Sequence, residues 1–279
     1  MKKLKIFSLG MVLMLTAYIG FSQPAAREHQ PLKFQNNYAT FEPKGLFEFL
    51  KWRWNAWRDG HPKSSGTPTP VVEVDLGFIL ANAKAGKQMQ PSVTWIGHAT
   101  ALVQFAGLNI LTDPIFSERA SPLSFVGPKR AQPPAIALKD LPQIDIVLIS
   151  HNHYDHLDEA SVRSLAAQSG RSPLFLVPLG VGAWFKQIGV GNVVELGWWQ
   201  SHKVVSPVGS AEVVMTPVQH WSGRSLTDRM ESLWGGYAIF TSDFHFFHTG
   251  DTGYSPDFRD IATRSEEHTS ELQSRVDIS

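Results

Sequence analysis

The chain has 279 residues, and 43% of them are hydrophobic, which is enough for one large domain or two small ones with a sizeable core. Lys and Arg together number 25, as do Asp and Glu, and this balance argues against a nucleic-acid-binding protein without excluding a local basic patch. Cysteine is absent from the sequence, so disulfides are excluded and any metal site must use His, Asp and Glu.

The N-terminus has the pattern of a secretory signal peptide. Three lysines among the first five residues precede an apolar run over residues 6–21. The small residues Gly20 and Ser22 suit cleavage before Gln23. We therefore expect a signal peptide over residues 1–22 and a protein exported to the periplasm or beyond the cell, with an uncleaved membrane anchor as the open alternative.

Residues 23–91 are expected to form an N-terminal extension. Helical spacing over residues 47–57 would place Phe47, Leu50, Trp54 and Trp57 on one face. We predict that this face packs on the domain core, and contact with a membrane surface is the alternative. The Pro- and Ser-rich stretch 61–70 indicates a linker.

From residue 92 onward, short apolar runs alternate with turns. We predict strands over residues 93–96, 101–105, 108–112, 144–149, 174–177, 192–196, 212–216, 233–240 and 244–248. Helices are predicted over 158–168 and 181–188, and a long loop over 121–134. Strands first, then strand–helix alternation, then strands again predict an α/β layered sandwich.

A cluster of metal-ligating side chains follows the apolar run 144–149. His151, His153, Asp155 and His156 lie within six positions, and three of the chain's 11 histidines are among them. A strand that ends in such a cluster presents several ligands to one point from a rigid base. Nitrogen and oxygen ligands of this kind suit zinc, and manganese or iron would accept them too.

Two further candidate ligands also follow apolar strands. His220 comes after the strand over residues 212–216, and Asp251 comes after the strand over 244–248. Gly250 and Gly253 allow the backbone to turn sharply around Asp251. Each residue alone is a weak signal, but with the six-residue cluster they form a set that can hold two cations.

The end of the chain is expected to be a non-native tail. Residues 264–274 match the translation of a common sequencing-library adapter. We therefore expect the authentic sequence to stop near Thr263 and the gene to continue beyond it. His268 is accordingly not counted as a ligand.

These residues together resemble the metallo-β-lactamase superfamily, and within it the family of N-acyl-phosphatidylethanolamine-hydrolysing phospholipase D. The resemblance covers residues 92–263, which we take as the hydrolase domain. The matching runs are Trp95–Thr100, Leu111–Ser117, Arg119–Pro122, Gly127–Arg130, Leu148–Asp158 and Gly250–Tyr254. It implies an αββα sandwich, here expected to be incomplete at the C-terminus.

The resemblance also implies how the ligands are divided between two zinc ions. His151, His153 and His220 would bind the first. Asp155 and His156 would bind the second, with Asp251 bridging the two. The family has one more histidine downstream, and no residue before the adapter-like tail can fill that place. The second cation is therefore expected to bind weakly.

The implied activity is hydrolysis of a phosphodiester bond in N-acyl-phosphatidylethanolamine-type lipids, with a water activated by the two zinc ions and Asp155 as the catalytic proton acceptor. His98 and Asp113 are candidates for contacting the substrate or supporting a ligand. The alternatives are a metal-dependent lactonase, another hydrolase of this fold, or a non-enzymatic metal- or lipid-binding protein. The expected partners are a lipid or small phosphodiester, a membrane surface and a second copy in a homodimer.

Overall fold

Two β-sheets form the centre of the molecule. The computed structural model describes residues 34–40, 46–60, 70–206, 208–225 and 227–276. The strands of the first sheet, in spatial order, are β1 (Ser92–Gly97), β2 (Thr100–Phe105), β3 (Leu108–Thr112), β4 (Ile146–Leu148), β5 (Leu174–Pro178) and β6 (Val193–Leu196). β1, β2 and β3 pair antiparallel, whereas β3 to β6 run parallel.

The second sheet has four antiparallel strands. They are β7 (Ser201–Ser206), β8 (Gly209–Thr216), β9 (Gly236–Phe240) and β10 (His245–His248), in the spatial order β10-β9-β8-β7. β7 was not predicted from the sequence. It lies at the edge of the sheet, where polar residues are tolerated, so it lacks the apolar run that marks a central strand.

Among the helices of the described residues, those over residues 76–82, 159–166 and 182–187 cover the outside of the first sheet. The helices are α1 (Leu46–Arg58), α2 (Leu76–Asn82), α3 (Glu159–Ala166), α4 (Gly182–Gln187) and α5 (Asp257–Val276), with short 3₁₀ helices at Gly86–Gln88 and Leu138–Asp140. α3 and α4 correspond to the two helices predicted after residue 157. Among the described residues, no helix has the length and apolar character needed to cross a membrane.

The core consists of two apolar layers, one on each face of the first sheet. On β4, Ile146 and Leu148 point into the layer between the sheets, while Val147 points to the layer under α3 and α4. Because side chains alternate between faces, a strand buried on both sides needs a continuous apolar run. The run over residues 144–149 meets this requirement and fixes the base of the six-residue cluster.

Part of the segment assigned to the N-terminal extension packs into this core. Ile79 of α2 is 2% exposed and belongs to the layer under the helices. Asn82 donates to the carbonyl of Gln90 at 2.9 Å, and Gln104 donates to the carbonyl of Ile79 at 3.1 Å. These contacts connect α2 to β2. The predicted signal peptide and residues 61–69 of the predicted linker lie outside the described residues.

Helix α1 forms where the aromatic spacing predicts a helix, but the prediction that it packs on the core is wrong. Phe47, Leu50, Trp54 and Trp57 are 77%, 54%, 61% and 73% exposed. The two tryptophans pack on each other instead, with ring centroids 5.1 Å apart. The apolar face of α1 is therefore on the surface of the described structure.

Candidate metal centre

The predicted ligands meet at one end of the two sheets, in loops that follow strand ends. The six-residue cluster follows β4, His220 follows β8, and Asp251 follows β10. Gly250 brings the last loop against Ser150: its φ is +58°, and a Cβ there would lie 2.5 Å from the Ser150 Cβ. Glycine is needed at this position because both the conformation and the space exclude a side chain.

Three imidazoles form the first group, which we call the three-imidazole position: His151, His153 and His220. The Nε2 atom of His220 lies 3.2 Å from His151 Nε2 and 3.2 Å from His153 Nδ1. Donor atoms on one tetrahedral zinc, each about 2.0–2.1 Å from the metal, would lie about 3.3–3.4 Å apart. The spacing of these nitrogens fits a shared cation.

The three imidazoles are held in the neutral form, which is the form that binds a metal. Burial lowers the pKa of His151 well below its usual value, that of His153 to about 4, and that of His220 in the same direction. His151 Nδ1 lies 2.9 Å from Ser150 Oγ. Since the Ser150 hydroxyl donates to Asp113, His151 Nδ1 is the donor to Ser150, and the lone pair of Nε2 faces His220.

Carboxylates dominate the second group, which we call the mixed position: Asp155, His156 and Asp251. His156 Nε2 lies 3.3 Å from Asp251 Oδ1 and 3.8 Å from Asp155 Oδ2. The other Asp251 oxygen, Oδ2, lies 3.8 Å from His220 Nε2. Asp251 therefore presents one oxygen to each group, as a bridging carboxylate would.

Asp113, the candidate support residue, lies directly behind His156. It is fully buried and accepts from the backbone N–H and the hydroxyl of Ser150, both at 2.7 Å. His156 Nδ1 at 3.0 Å and His248 Nε2 at 2.9 Å also donate to it. Burial favours the neutral acid, but the charge and hydrogen bonds of the two histidines lower the pKa of Asp113 well below its usual range.

Asp113 and Asp251 together determine the protonation state of His156. Burial alone would lower its pKa, but Asp113 and Asp251 raise it to about 10. With Nδ1 engaged by Asp113, Nε2 is the nitrogen that faces Asp251. This buried Nε2 has no hydrogen-bond partner among the described residues. A cation there would find a directed nitrogen and would displace its proton.

Two loop segments are fastened together around the centre. Arg224 donates to the carbonyls of Asn152 at 2.9 Å and Leu157 at 2.7 Å, and its guanidinium lies 4.0 Å from the ring centroid of Tyr154. The Gly223 N–H donates to the Asn152 side chain at 2.7 Å. These bonds hold the turn that carries His153, Asp155 and His156 against the loop after His220.

A residue from the N-terminal part of the chain also supports the centre. The Asn36 side chain accepts from the backbone N–H of His220 at 3.0 Å and donates to its carbonyl at 3.0 Å. Trp234 donates to the same side chain at 3.2 Å. Sequence reasoning missed Asn36, Arg224 and the role of His248, because each acts through partners distant in sequence.

The structure brings all six predicted ligands together, and His98 and Asp113 lie beside them. His98 Nε2 lies 3.0 Å from Asp155 Oδ2. Each of three groups has donor atoms within 4.8 Å of one another: His151, His153 and His220; His151, His156 and Asp251; and His98, Asp155 and His156. Nitrogen and oxygen donors at these spacings, with a buried nitrogen that faces two carboxylates, fit a pair of divalent cations.

A cavity of about 630 Å³ opens beside the mixed position. His98, His153, Tyr154 and Asp155 form its metal-facing wall. The remaining wall combines the apolar Trp95, Ile115, Pro128 and Pro133 with Arg130 and with Lys129, which pairs with Glu118 of the same wall at 2.6 Å. The cavity therefore offers an apolar surface and positive charge next to the ligand cluster.

Comparison with known proteins identifies the family. Residues 108–269, more than half of the chain, match the family described as a beta-lactamase superfamily domain. The chain belongs to the metallo-β-lactamase superfamily. The αββα sandwich class and the family resemblance predicted from the sequence are thereby confirmed.

Several relatives of this superfamily member are hydrolases by name. It is 43% identical over 241 residues to an uncharacterized protein of Mycobacterium tuberculosis, covering 85% of this chain and 62% of the relative. It is 40% identical over 166 residues to N-acyl-phosphatidylethanolamine-hydrolyzing phospholipase D 1 of Caenorhabditis elegans, covering 58% and 46%. A UPF0173 metal-dependent hydrolase of Koribacter versatilis is 30% identical over 167 residues, covering 57% and 62%.

The chain thus spans less than two thirds of the length of these relatives. What the comparisons confirm for this chain is the metallo-β-lactamase fold, and the metal-dependent hydrolase activity that two of these relatives carry in their names stays a prediction for it.

Proposed function

We propose that this protein is a zinc-dependent hydrolase of phosphodiester bonds that acts on N-acyl-phosphatidylethanolamine-type lipids. The observation that carries the proposal is the convergence of six ligands into two positions that share Asp251, beside a cavity with cationic and apolar walls. The similarity to the nematode phospholipase D supports the substrate class.

Zinc suits the donor set of both positions. Imidazole nitrogens with carboxylate oxygens are ligands that zinc accepts in tetrahedral sites, and the chain has no cysteine thiolate to offer. When bound, such cations lower the pKa of water and stabilise negative charge on a phosphoryl oxygen. Metal analysis of protein purified without added metal would distinguish zinc from manganese and iron.

Asp155 is the residue that we propose as the proton acceptor. Its side chain is 39% exposed, lines the cavity and lies 3.0 Å from His98. It therefore touches both the ligand cluster and the space available to a substrate. His98 lies against one carboxylate oxygen, Oδ2, which leaves the other free to orient an attacking water and take its proton.

An exposed apolar loop beside the cavity supports a lipid substrate. The Ala120 N–H donates to the Pro128 carbonyl at 3.0 Å and closes the base of the loop between them. Leu123, Phe125 and Val126 lie in that loop and are 49%, 74% and 51% exposed. We propose that this loop contacts a membrane surface and that the cavity receives a lipid headgroup from it.

The proposal is tested by hydrolysis of N-acyl-phosphatidylethanolamine in vesicles. We expect release of phosphatidic acid and the N-acylethanolamine, with loss of activity in Asp155→Asn. Opening of a lactone substrate without phosphodiester hydrolysis would overturn the proposal and favour the lactonase alternative. Metal binding without turnover of any substrate would favour a binding protein.

The lipid surface has a test of its own. We expect Phe125→Asp to lower hydrolysis of vesicle lipid and leave hydrolysis of a soluble phosphodiester unchanged. Val205→Asp is a matched control, because Val205 is 82% exposed on β7 and does not line the cavity. Equal activity of Phe125→Asp and the wild type on vesicles would exclude this loop as the membrane contact.

We further propose that the protein is exported and forms a homodimer. The lysine-rich start and apolar run of residues 1–22 support export, and the family resemblance supports the dimer. Fusion of residues 1–22 to a reporter that is active only outside the cytoplasm tests export. Light scattering of the purified protein tests the dimer.

A further inference from the structure

His98 has no assigned ligand role, although it lies at the mixed position. We propose that His98 is itself a ligand of the mixed position, together with Asp155, His156 and Asp251. The inference rests on the metal centre of the proposed function and deepens it. It gives this position a second imidazole from within the chain, in addition to the two carboxylates.

The donor atoms are placed as a shared cation requires. His98 Nε2 lies 3.0 Å from Asp155 Oδ2, and that oxygen lies 3.8 Å from His156 Nε2. Each of the three residues offers a donor atom that lies within 4.8 Å of those of the other two. These spacings bracket the separation of about 3.3–3.4 Å expected between donors on one tetrahedral zinc.

The buried nitrogen of His156 gives an independent indication of a ligand here. The His156 side chain is 0% exposed, and Asp113 occupies its Nδ1. Among the described residues its Nε2 makes no hydrogen bond of good geometry, and it faces the carboxylates of Asp251 at 3.3 Å and Asp155 at 3.8 Å. A buried nitrogen that faces two carboxylates in this way is placed to share a cation with them. Asp251 and the pair formed by Asp155 and His98 are on the side that this nitrogen faces.

The backbone at His98 is held in a conformation that presents the ring to the site. Its φ is +52°, in the left-handed region that few non-glycine residues adopt. The Trp95 indole donates to the His98 carbonyl at 2.8 Å and fixes the turn between β1 and β2. Conformations of this kind cost about 1–3 kcal/mol and persist where the surroundings enforce them, often at functional sites.

A purely orienting role for His98 is the alternative. In that case its imidazole only donates to Asp155, and an amide that donates in the same way would replace it. A ligand role differs because a neutral amide nitrogen has no lone pair for a metal and the amide oxygen is a much weaker zinc ligand than imidazole. The two roles therefore predict different metal contents for His98→Gln.

Replacement of His98 by cysteine gives a direct spectroscopic test. The chain contains no cysteine, so His98→Cys introduces the sole thiolate. We expect the cobalt-loaded His98→Cys protein to show a sulfur-to-cobalt charge-transfer band in the near ultraviolet. His245→Cys is the matched control, because His245 is exposed on β10 and lies outside the ligand groups. Absence of the band in His98→Cys would overturn the inference.

Metal content per chain gives the second readout and separates the inference from the proposed function. We expect two zinc ions in the wild type and one in both His98→Ala and His98→Gln after desalting, with thermal unfolding of the metal-free proteins unchanged. Two ions retained in either variant would overturn the ligand role and leave the proposed function intact. A wild type that binds no zinc would overturn both.

Discussion

The three-imidazole position and the mixed position share Asp251 but are built by different means. In the first, burial keeps His151, His153 and His220 neutral, so their nitrogens are free to bind a cation. In the second, carboxylates raise the pKa of His156 to about 10, and Asp113 fixes the direction of its ring. Desolvation sets the protonation of the histidines in the first position, and the charge of nearby carboxylates sets it in the second. The two should therefore respond differently to mutation.

Removal of the shared carboxylate should have the largest effect. Asp251 has one oxygen near each position, and its side chain is 47% exposed, so Asp251→Ala should fold normally. We expect hydrolysis to fall on the order of 10³-fold, because a cation contributes several kcal/mol to transition-state stabilisation. Steady-state kinetics and metal content measure this effect. Retention of two cations with normal activity would contradict a bridging role.

Asp113→Asn should separate the two positions. Asp113 contacts His156 directly, whereas it reaches His151 only through Ser150. We expect the affinity of the mixed position for zinc to fall about 10–100-fold, as for other residues that orient a ligand imidazole. The three-imidazole position should change much less. Calorimetric titration resolves the two binding events, and equal losses at both would show that the positions are not independent.

Arg224→Met should weaken both positions together, because Arg224 fastens the turn that carries ligands of each. Loss of its two bonds to backbone carbonyls should lower the free energy of unfolding by about 2–3 kcal/mol. Arg58→Met is the control: Arg58 is 61% exposed and pairs with Asp59, which is 52% exposed. The control substitution should change the free energy of unfolding by no more than roughly 0.5 kcal/mol. Chemical denaturation measures both, and equal effects would exclude the fastening role.

The smallest expected effect is a difference between the two positions in the number of protons released when a metal binds. His156 is protonated at pH 8, below its pKa of about 10, so a cation at Nε2 must displace about one proton. His153 has a pKa of about 4 and is already neutral, so filling the three-imidazole position should release almost none. Titration calorimetry in buffers of different ionisation enthalpy counts these protons. Equal proton release from both binding events would contradict the comparison.

Local patterns predicted which candidate ligands come together, because these residues lie next to the strands that position them. The apolar run over residues 144–149 predicts a buried strand, and the cluster follows directly at its end. His220 and Asp251 follow strands in the same way. The helix over residues 47–57 was also predicted, yet its burial was not, since helical spacing shows an apolar face without showing what covers it.

What the sequence determined by itself is the type of chemistry: a strand-end set of imidazoles and carboxylates, without thiolate, in a member of the metallo-β-lactamase superfamily. The resemblance already implied how the set divides between two cations, and only the tertiary structure decided what supports it. Asn36 reaches His220 across 184 positions, His248 reaches Asp113 across 135, and His98 reaches Asp155 across 57. The physical reason is that such contacts depend on how separate loops meet in space, and a local sequence pattern does not predict this.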